Sequence, residues 1–319
     1  MQIMGIIVFG SINKDLVARA SHLPRAGETL LGRDFFTASG GKGANQAVAA
    51  ARLGISTYMV GRVGEDSFGK ELVKDLQASG VKTDSIIYDE NTSSGVAIIT
   101  VDDAGENHIV VIPGANERVN GEDIHRLSEL LTTAKTLLLQ LEIPIETVIS
   151  AADAAHKAGV KVILDPAPAH STLPDELYQL VNIITPNEIE ASQLVGFHVD
   201  EESVEKAANL LLEKLNRHNS TSEDMKAVII KLGAKGVFCT TSQESFFTKA
   251  FKVDTVDTTA AGDAFNGAFA AALSEGLSLQ EAVKWGAAAG AIASTLPGAQ
   301  PSLPSRTSFD MFLQEVDNR

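Results

Sequence analysis

Asp257-Thr258-Thr259-Ala260-Ala261-Gly262-Asp263-Ala264-Phe265-Asn266-Gly267-Ala268 is a turn of small residues that runs into an Ala-rich helix and delivers one carboxylate, Asp263, into that helix's first turn. The backbone N–H groups of Ala260, Ala261 and Gly262 carry no side chain large enough to screen them. A helix N-terminus directs unpaired donors and partial positive charge outward, so this turn suits a phosphate-like anion. A carboxylate beside such a site can act as a general base aimed at an acceptor hydroxyl. The alternative is an N-cap or first-turn Asp that satisfies only its own helix. Spacing alone leaves both readings open.

Outward from that helix the chain alternates between two periods. Ile3–Phe9 is a continuous apolar run ending at Gly10, the pattern of a strand buried on both faces. Comparable runs fall at Thr57–Val63, Thr136–Leu141, Val160–Leu164, Val181–Thr185 and Ala227–Leu232. Helical patterns separate them at Asn45–Leu53, Gly69–Ala78, Asp123–Thr133 and Ile145–Ala158, with Gly54, Gly80 and Gly159 where helix C′ glycines belong. The alternation predicts an α/β fold with a doubly wound, mostly parallel sheet flanked by helices. Two segments break the rhythm. Asp15–Phe36, with Pro24-Arg25-Ala26-Gly27, and Ser94–Ile112, with Asp102-Asp103-Ala104-Gly105, alternate like exposed strands joined by turns and predict a small sheet standing off the main one.

The chain has 319 residues, enough for a large α/β domain with a small appendage, and its hydrophobic and charged fractions of 44% and 21% are those of a globular protein. A formal net charge of −15 opposes nucleic-acid or anionic-membrane binding. No apolar segment reaches the roughly 18–20 residues of a membrane span. Cys239 is the only cysteine, so no intrachain disulfide can form, and a reducing cytoplasm fits best. Its strand-like setting reads as a buried, inert thiol. Asn91-Thr92-Ser93 and Asn219-Ser220-Thr221 match the glycosylation pattern but have no secretory signal before them. Gly64–Lys70 almost spells a phosphate-binding loop, yet Glu71 replaces the Ser or Thr and Glu65 and Asp66 would repel phosphate, so it reads as the entry to a helix. Gly286 and Gly290 read as small residues for close packing against the Asp263 helix, and Trp285 as a packing residue.

Asn13 and Asp15 follow the first strand at its C-terminal end, where ligands of open α/β sheets collect. An amide and a carboxylate can donate to and accept from adjacent hydroxyls of a polyol, although both are also turn residues. Asn187 and Glu190, just after Pro186, have the spacing of a capping-box variant that needs no ligand.

The Asp257–Ala268 stretch resembles the C-terminal signature of the ribokinase family of carbohydrate kinases. Gly40-Gly41-Lys42-Gly43-Ala44-Asn45-Gln46-Ala47-Val48-Ala49-Ala50-Ala51-Arg52-Leu53-Gly54 resembles its N-terminal signature. The order of the remaining segments agrees over essentially the whole chain: Asn13/Asp15, then Leu141-Glu142, Thr185-Pro186-Asn187-Glu188-Ile189-Glu190 and Lys231-Leu232-Gly233. One departure is Ala260, where many relatives carry Gly, so that backbone position must accommodate a Cβ. The resemblance implies a single kinase domain over 1–319 whose lid, about 15–36 and 94–112, closes over a sugar and meets a second subunit to form a homodimer.

It further implies transfer of the γ-phosphoryl group of Mg·ATP to a sugar hydroxyl, with the Gly40–Gln46 segment favouring the 5-hydroxyl of D-ribose. On the matching positions Asp263 would be the base, while the Ala260, Ala261 and Gly262 amides and Lys42 would stabilise the phosphoryl oxygens. Asn13, Asp15, Gly41, Gly43, Asn45 and Glu142 would hold the sugar. Asn187, Lys231, Leu232, Gly233, Gly236 and Gly262 would line the nucleotide site, and Glu190 would meet Mg2+ through water. Asp257, Thr259, Ala293, Leu296, Gly298 and Ser302 would surround an activating potassium ion, mostly through carbonyls. The alternatives are a kinase of the same family acting on another sugar or nucleoside, and a catalytically silent sugar-binding regulator. A pure binder needs no base or metal site, so intact Asp263, Lys42, Asn187 and Glu190 count against the latter.

Overall fold

The computed structural model describes residues 5–217 and 225–317. The second sequon, Asn219-Ser220-Thr221, lies outside the described residues, as do Ile3 and Met4 of the first apolar run. The strands are β1 Gly5–Phe9, β2 Asn13–Arg19, β3 Asp34–Gly40, β4 Thr57–Gly64, β5 Lys82–Asp89, β6 Gly95–Val101, β7 Asn107–Ile112, β8 Ala134–Leu139, β9 Lys161–Leu164, β10 Ile183–Ile184, β11 Ala227–Lys231, β12 Gly236–Thr241 and β13 Ser245–Lys249. The α-helices are α1 Lys42–Arg52, α2 Ser67–Ala78, α3 Gly121–Leu131, α4 Ile145–Lys157, α5 Asp175–Leu180, α6 Glu188–Val195, α7 Val204–Asn216, α8 Ala261–Ser274, α9 Leu279–Ala293 and α10 Arg306–Asp317.

The main sheet is nine-stranded in the order β13-β12-β11-β10-β9-β8-β1-β4-β5. It is parallel from β11 through β5, and β12 and β13 extend one edge antiparallel. Every residue of β1 is buried, as its unbroken apolar run requires of a parallel strand covered on both faces. Two cores result. Ile6 and Val8 face one that holds apolar residues of α1, α2, α8 and α9. Ile7 and Phe9 face the other, with α3, α4 and α7. α8 and α9 approach so closely that a methyl on Gly286 would lie 2.8 Å from the Phe265 ring, so the small residue there serves packing. Trp285 packs edge-on against Phe309 at 5.0 Å. Cys239 is buried in β12, and burial pushes its thiol up to about 12, which makes it inert. Gly64–Lys70 leads into α2, which Asp66 caps by accepting from the Gly69 N–H.

The second sheet is four-stranded, β3-β2-β6-β7. Each hairpin is antiparallel and the two join through a parallel β2–β6 pairing. The first hairpin, Asn13 to Gly40, begins earlier and ends later than the expected 15–36, whereas the second, Gly95 to Ile112, falls within 94–112. Residues 20–33, inside the expected lid, form no strand. The base of this sheet is tied to α2 by Lys14 Nζ to Glu71 Oε1 at 2.8 Å and Ser39 Oγ to Asp75 Oδ2 at 2.6 Å. The Val181–Thr185 run shortens to Ile183–Ile184, where the buried Asn182 side chain instead accepts from the Val162 N–H.

Candidate active site

In an open α/β sheet the crevice forms beyond the strand C-termini where the winding direction reverses. Here that point lies around β1, between β4 and β8. The residues after β1, β8, β9 and β11 and the N-termini of α1 and α8 converge there. β8 ends at Leu139 rather than Leu141, so Gln140 and Glu142 lie beyond the sheet edge.

Gly41 starts α1 with φ +88°, a left-handed conformation that favours glycine. A methyl there would also lie 2.7 Å from the Asn13 N. This close approach joins the two sequence segments. The Lys42 N–H then reaches Glu142 Oε2 at 3.1 Å, Ser11 Oγ donates to the same oxygen at 2.5 Å, and the Gly43 N–H donates to Ser11 Oγ at 3.3 Å. Asn13 is buried and its Oδ1 accepts from Asn116 Nδ2 at 2.7 Å. Asp15 is half-buried next to Gly40. Burial, with the charges of Glu142 and Asp263, pushes the Asp15 carboxyl up to about 7.

The N-cap of α8 is Ala260, and no side chain caps that end. Asp263 instead accepts from Asn45 Nδ2 on Oδ2 at 2.9 Å and from Gln46 Nε2 on Oδ1 at 3.1 Å. Asp263 therefore makes no side-chain cap bond to its own helix, although it remains a first-turn carboxylate of α8. Burial pushes its carboxyl up to about 6, with Asp165 adding to the rise and Lys42, Asn45 and Gln46 opposing it. Asn45 Oδ1 is buried without a partner, an acceptor suited to a ligand hydroxyl. Ala260 has φ 58°, the single positive φ outside glycine among the described residues. The Cβ is accommodated at a cost of roughly 1 kcal/mol relative to glycine. The Ala261 N–H bonds to Thr258 O at 3.2 Å, so one of the three expected anion donors already has a partner.

Burial pulls the Lys42 ammonium down, but Asp263, Asp165, Glu142 and Glu190 outweigh it and hold its pKa above the ordinary lysine value. Lys231, at the end of β11, pairs with Asp165 Oδ1 at 3.1 Å and bridges in strand register to Asn187. A methyl on Gly262 would lie 3.6 Å from Lys231 Nζ, so the β11 and α8 segments meet. The Leu232 side chain belongs to the core, and its N–H closes the turn onto Gly236 O at 2.8 Å; Gly233 opens that turn. Asn187 and Glu190 form a reciprocal capping box, with Glu190 accepting from the Asn187 N–H at 2.8 Å and from Nδ2 at 3.0 Å. Burial and neighbouring Asp165 raise the Glu190 pKa.

A second cluster ties two loops. Asp257 accepts from Thr259 N at 2.9 Å and Thr259 Oγ1 at 2.6 Å, and from Gly298 N at 2.8 Å. These bonds outweigh burial and lower the Asp257 pKa. Ser294 O accepts from the Val256 and Asp257 N–H groups. Ala293 ends α9, Leu296 is exposed, and the buried Ser302 donates to Ala299 O at 2.8 Å.

Sequence reasoning missed Asp165, Asn116 and Gln140. Asp165 had a signal, since it directly follows the Val160–Leu164 run at the same sheet edge as Asn13 and Glu142. Asn116 and Gln140 carried none. Gln46, within the Gly40–Gly54 segment, touches both Asp165 and Asp263.

Residues 5–306 match the family model described as pfkB family carbohydrate kinase. The chain is 43% identical to a ribokinase of Haemophilus influenzae, over 98% of this chain and 99% of that one. Among solved structures, ribokinase from Thermotoga maritima matches with TM-score 0.86 and 40% identity, covering 98% of this chain and 99% of that one. Arabidopsis thaliana ribokinase complexed with ribose and ATP matches with TM-score 0.87 and 36% identity, over 98% and 99% of the two chains. These matches agree with the resemblance carried by the two signatures and with the strand order around the crevice: the chain belongs to the pfkB family of carbohydrate kinases.

Proposed function

We propose that this chain is a ribokinase, transferring the γ-phosphoryl group of ATP to the 5-hydroxyl of D-ribose to give D-ribose 5-phosphate and ADP. The observation that carries the reading is Asp263, a buried carboxylate held by Asn45 and Gln46 at the mouth of an anion-binding turn. The near-full-length likeness to ribokinases supports ribose as the acceptor. Asp263 takes the proton of the 5-hydroxyl as its oxygen attacks the γ-phosphorus. The bond from that phosphorus to the β,γ-bridging oxygen breaks and ADP leaves. Lys42 and the N-terminus of α8 face the charge that spreads over the phosphoryl oxygens. A coupled ADP-release assay with D-ribose, 2-deoxy-D-ribose, D-fructose and adenosine tests the reading. D-ribose should give the highest kcat/KM; a higher value for another acceptor selects the related-kinase alternative, and no turnover with any acceptor selects the silent regulator.

Asp15, Asn13 and the unpartnered Asn45 Oδ1 form the sugar side of the site. Asp15→Ala is expected to weaken D-ribose binding by about 1–3 kcal/mol, because hydroxyls lose a partner in a desolvated setting, and to leave ATP binding nearly unchanged. Calorimetric titration of each ligand checks this. Equal losses for both would place Asp15 outside the sugar pocket.

Mg2+ fits as an ion carried in by ATP phosphates. Both Glu190 oxygens are engaged by Asn187, which favours contact through water, and no group of three His, Cys, Asp or Glu residues among the described residues could hold a metal by itself. When bound, the ion would neutralise phosphate charge that the acidic chain does not attract. On the family resemblance, potassium would sit at the loops that Asp257 ties together through Thr259 and Gly298, with Ala293, Leu296 and Ser302 supplying further oxygens. Replacing potassium by a bulky organic cation at equal ionic strength should lower kcat. An unchanged kcat would remove this ion from the account.

The reading also includes a homodimer through the lid and a cytoplasmic location. Phe35, Ile98, Val110 and Ile112 are exposed on one face of the second sheet and Ile109 and Val111 on the other; the first group is the apolar surface suited to covering by another copy. Sedimentation should give a dimer that Val110→Lys disrupts; a monomer with an intact lid would contradict it. No described helix is long and apolar enough to cross a membrane. Cell fractionation checks the location, and recovery with membranes would contradict it.

A further inference from the structure

Gln46 is fully buried, and its amide sits between two carboxylates. Nε2 donates to Asp165 Oδ2 at 2.9 Å and to Asp263 Oδ1 at 3.1 Å, so both of its N–H bonds are used on acids. Oε1 accepts from Gln140 Nε2 at 2.7 Å. Turning the amide over would place Oε1 against both carboxylates and Nε2 against another N–H donor. Three favourable contacts would become repulsive, so one orientation is fixed.

Gln140 is packed against the backbone at Gly10, and its Oε1 is buried without a hydrogen-bond partner. It is fully buried just beyond β8, and a methyl on Gly10 would collide with its Oε1. On the other side, Asp165 pairs with Lys231 at 3.1 Å, and Lys231 Nζ lies beside Gly262 at the phosphate end of α8. Gln46 therefore connects residues from the ends of β8, β9 and β11 to the carboxylate on α8.

We propose that Gln46 is a positioning residue for phosphoryl transfer: oriented by Gln140, it fixes the Asp263 carboxylate and couples it to the Asp165–Lys231 ion pair. The inference rests on the reading of Asp263 as the general base. Asn45 and Gln46 each hold one oxygen of that carboxylate, which restricts its rotation and presents a defined lone pair to the sugar hydroxyl. The charged groups that face it are Lys42 on α1, Asp165 after β9 and Asp15 on β2, with Lys231 behind Asp165.

These contacts give two substitutions of opposite sign. A general base works only when ionised, so activity falls as the pH drops through its pKa. Gln46→Leu removes a donor that favours the ionised carboxylate and moves this acid limb to higher pH. Asp165→Asn keeps an acceptor for Gln46, removes a negative charge that disfavours ionisation, and moves the limb to lower pH. A residue that only filled space would not produce paired shifts of opposite direction.

The test is kcat and kcat/KM against pH with D-ribose and Mg·ATP for the full chain, Gln46→Leu, Gln140→Leu, Asp165→Asn and Asp263→Asn, with dissociation constants for both ligands. Gln46→Leu should lower kcat roughly ten- to a hundredfold, and each dissociation constant should change less than about threefold. Gln140→Leu should act in the same direction with a smaller effect. Folded Gln46→Leu and Gln140→Leu proteins with kcat within about twofold of the parent and an unmoved acid limb would overturn the proposal, provided that Asp263→Asn is inactive. Near-native turnover in Asp263→Asn would instead overturn the base reading, and the proposal with it. If Gln46→Leu does not fold, unmoved limbs in both Gln140→Leu and Asp165→Asn overturn the proposal.

Discussion

Asp263→Asn is expected to reduce turnover with D-ribose about 10²–10⁴-fold, equivalent to roughly 3–5 kcal/mol of transition-state stabilisation, in a protein that remains folded. Asn is nearly isosteric but cannot take a proton at neutral pH. Gln46 keeps its bond to the remaining amide oxygen, and Asn45 can turn its unpartnered Oδ1 toward the new amide N–H, leaving its Nδ2 for the ligand hydroxyl. The stability sign follows from the pKa. Asp263 is raised from the usual 3.8 to about 6, so the native state binds its proton more tightly than the unfolded chain. This group therefore favours folding below about pH 4 relative to its ionised form, and that contribution is lost as the pH rises through about 6. Above that pH the folded protein carries a desolvated charge, which Asn removes. The melting temperature at pH 7.5 should not fall, and the ligand dissociation constants should move far less than turnover. Steady-state kinetics, calorimetry and thermal unfolding on one preparation separate loss of chemistry from loss of structure.

Lys42→Met is the second large effect, with kcat expected to fall roughly 10²–10³-fold, the loss typical of removing one donor from a preorganised anion site. Met keeps most of the apolar stem, so the change isolates the ammonium. Lys42 opposes the rise in the Asp263 pKa, and its removal should also carry the acid limb of kcat/KM to higher pH. The pH profile thus separates a lost phosphate contact, which lowers the plateau, from altered basicity, which moves the limb. A loss below about threefold with an unmoved limb would place Lys42 away from the transferred group.

Most of the fold was legible because its signals are local. The continuous apolar runs marked the buried parallel strands, and Gly54, Gly80 and Gly159 all take positive φ after α1, α2 and α4, where the helix patterns ended. The site was legible where residues fall within the two signatures. What the sequence hid depends on distant pairing: Gln46 and Asp165 are 119 positions apart, and neither residue type announces a buried amide between two acids. Nothing in the sequence marks Lys14 as buried, yet it is 1% exposed because β2 is pressed against α2 and Glu71 receives the ammonium. Asn187 and Glu190 kept two readings in the sequence. The capping box forms in full, which accounts for their local spacing without requiring an ion. At Ala260 the sequence showed only a Cβ, and the positive φ of that position is one that glycine adopts more readily.

The central claim is the transfer of one phosphoryl group from ATP to one particular oxygen of ribose. Phosphorus NMR with proton correlation on the product of purified protein, Mg·ATP and D-ribose tests it directly. The expected product carries a phosphate coupled to the C5 protons, formed one for one with ADP and absent when ribose is omitted. ADP formed without a phosphorylated sugar, or a phosphate on another ribose oxygen, would contradict it.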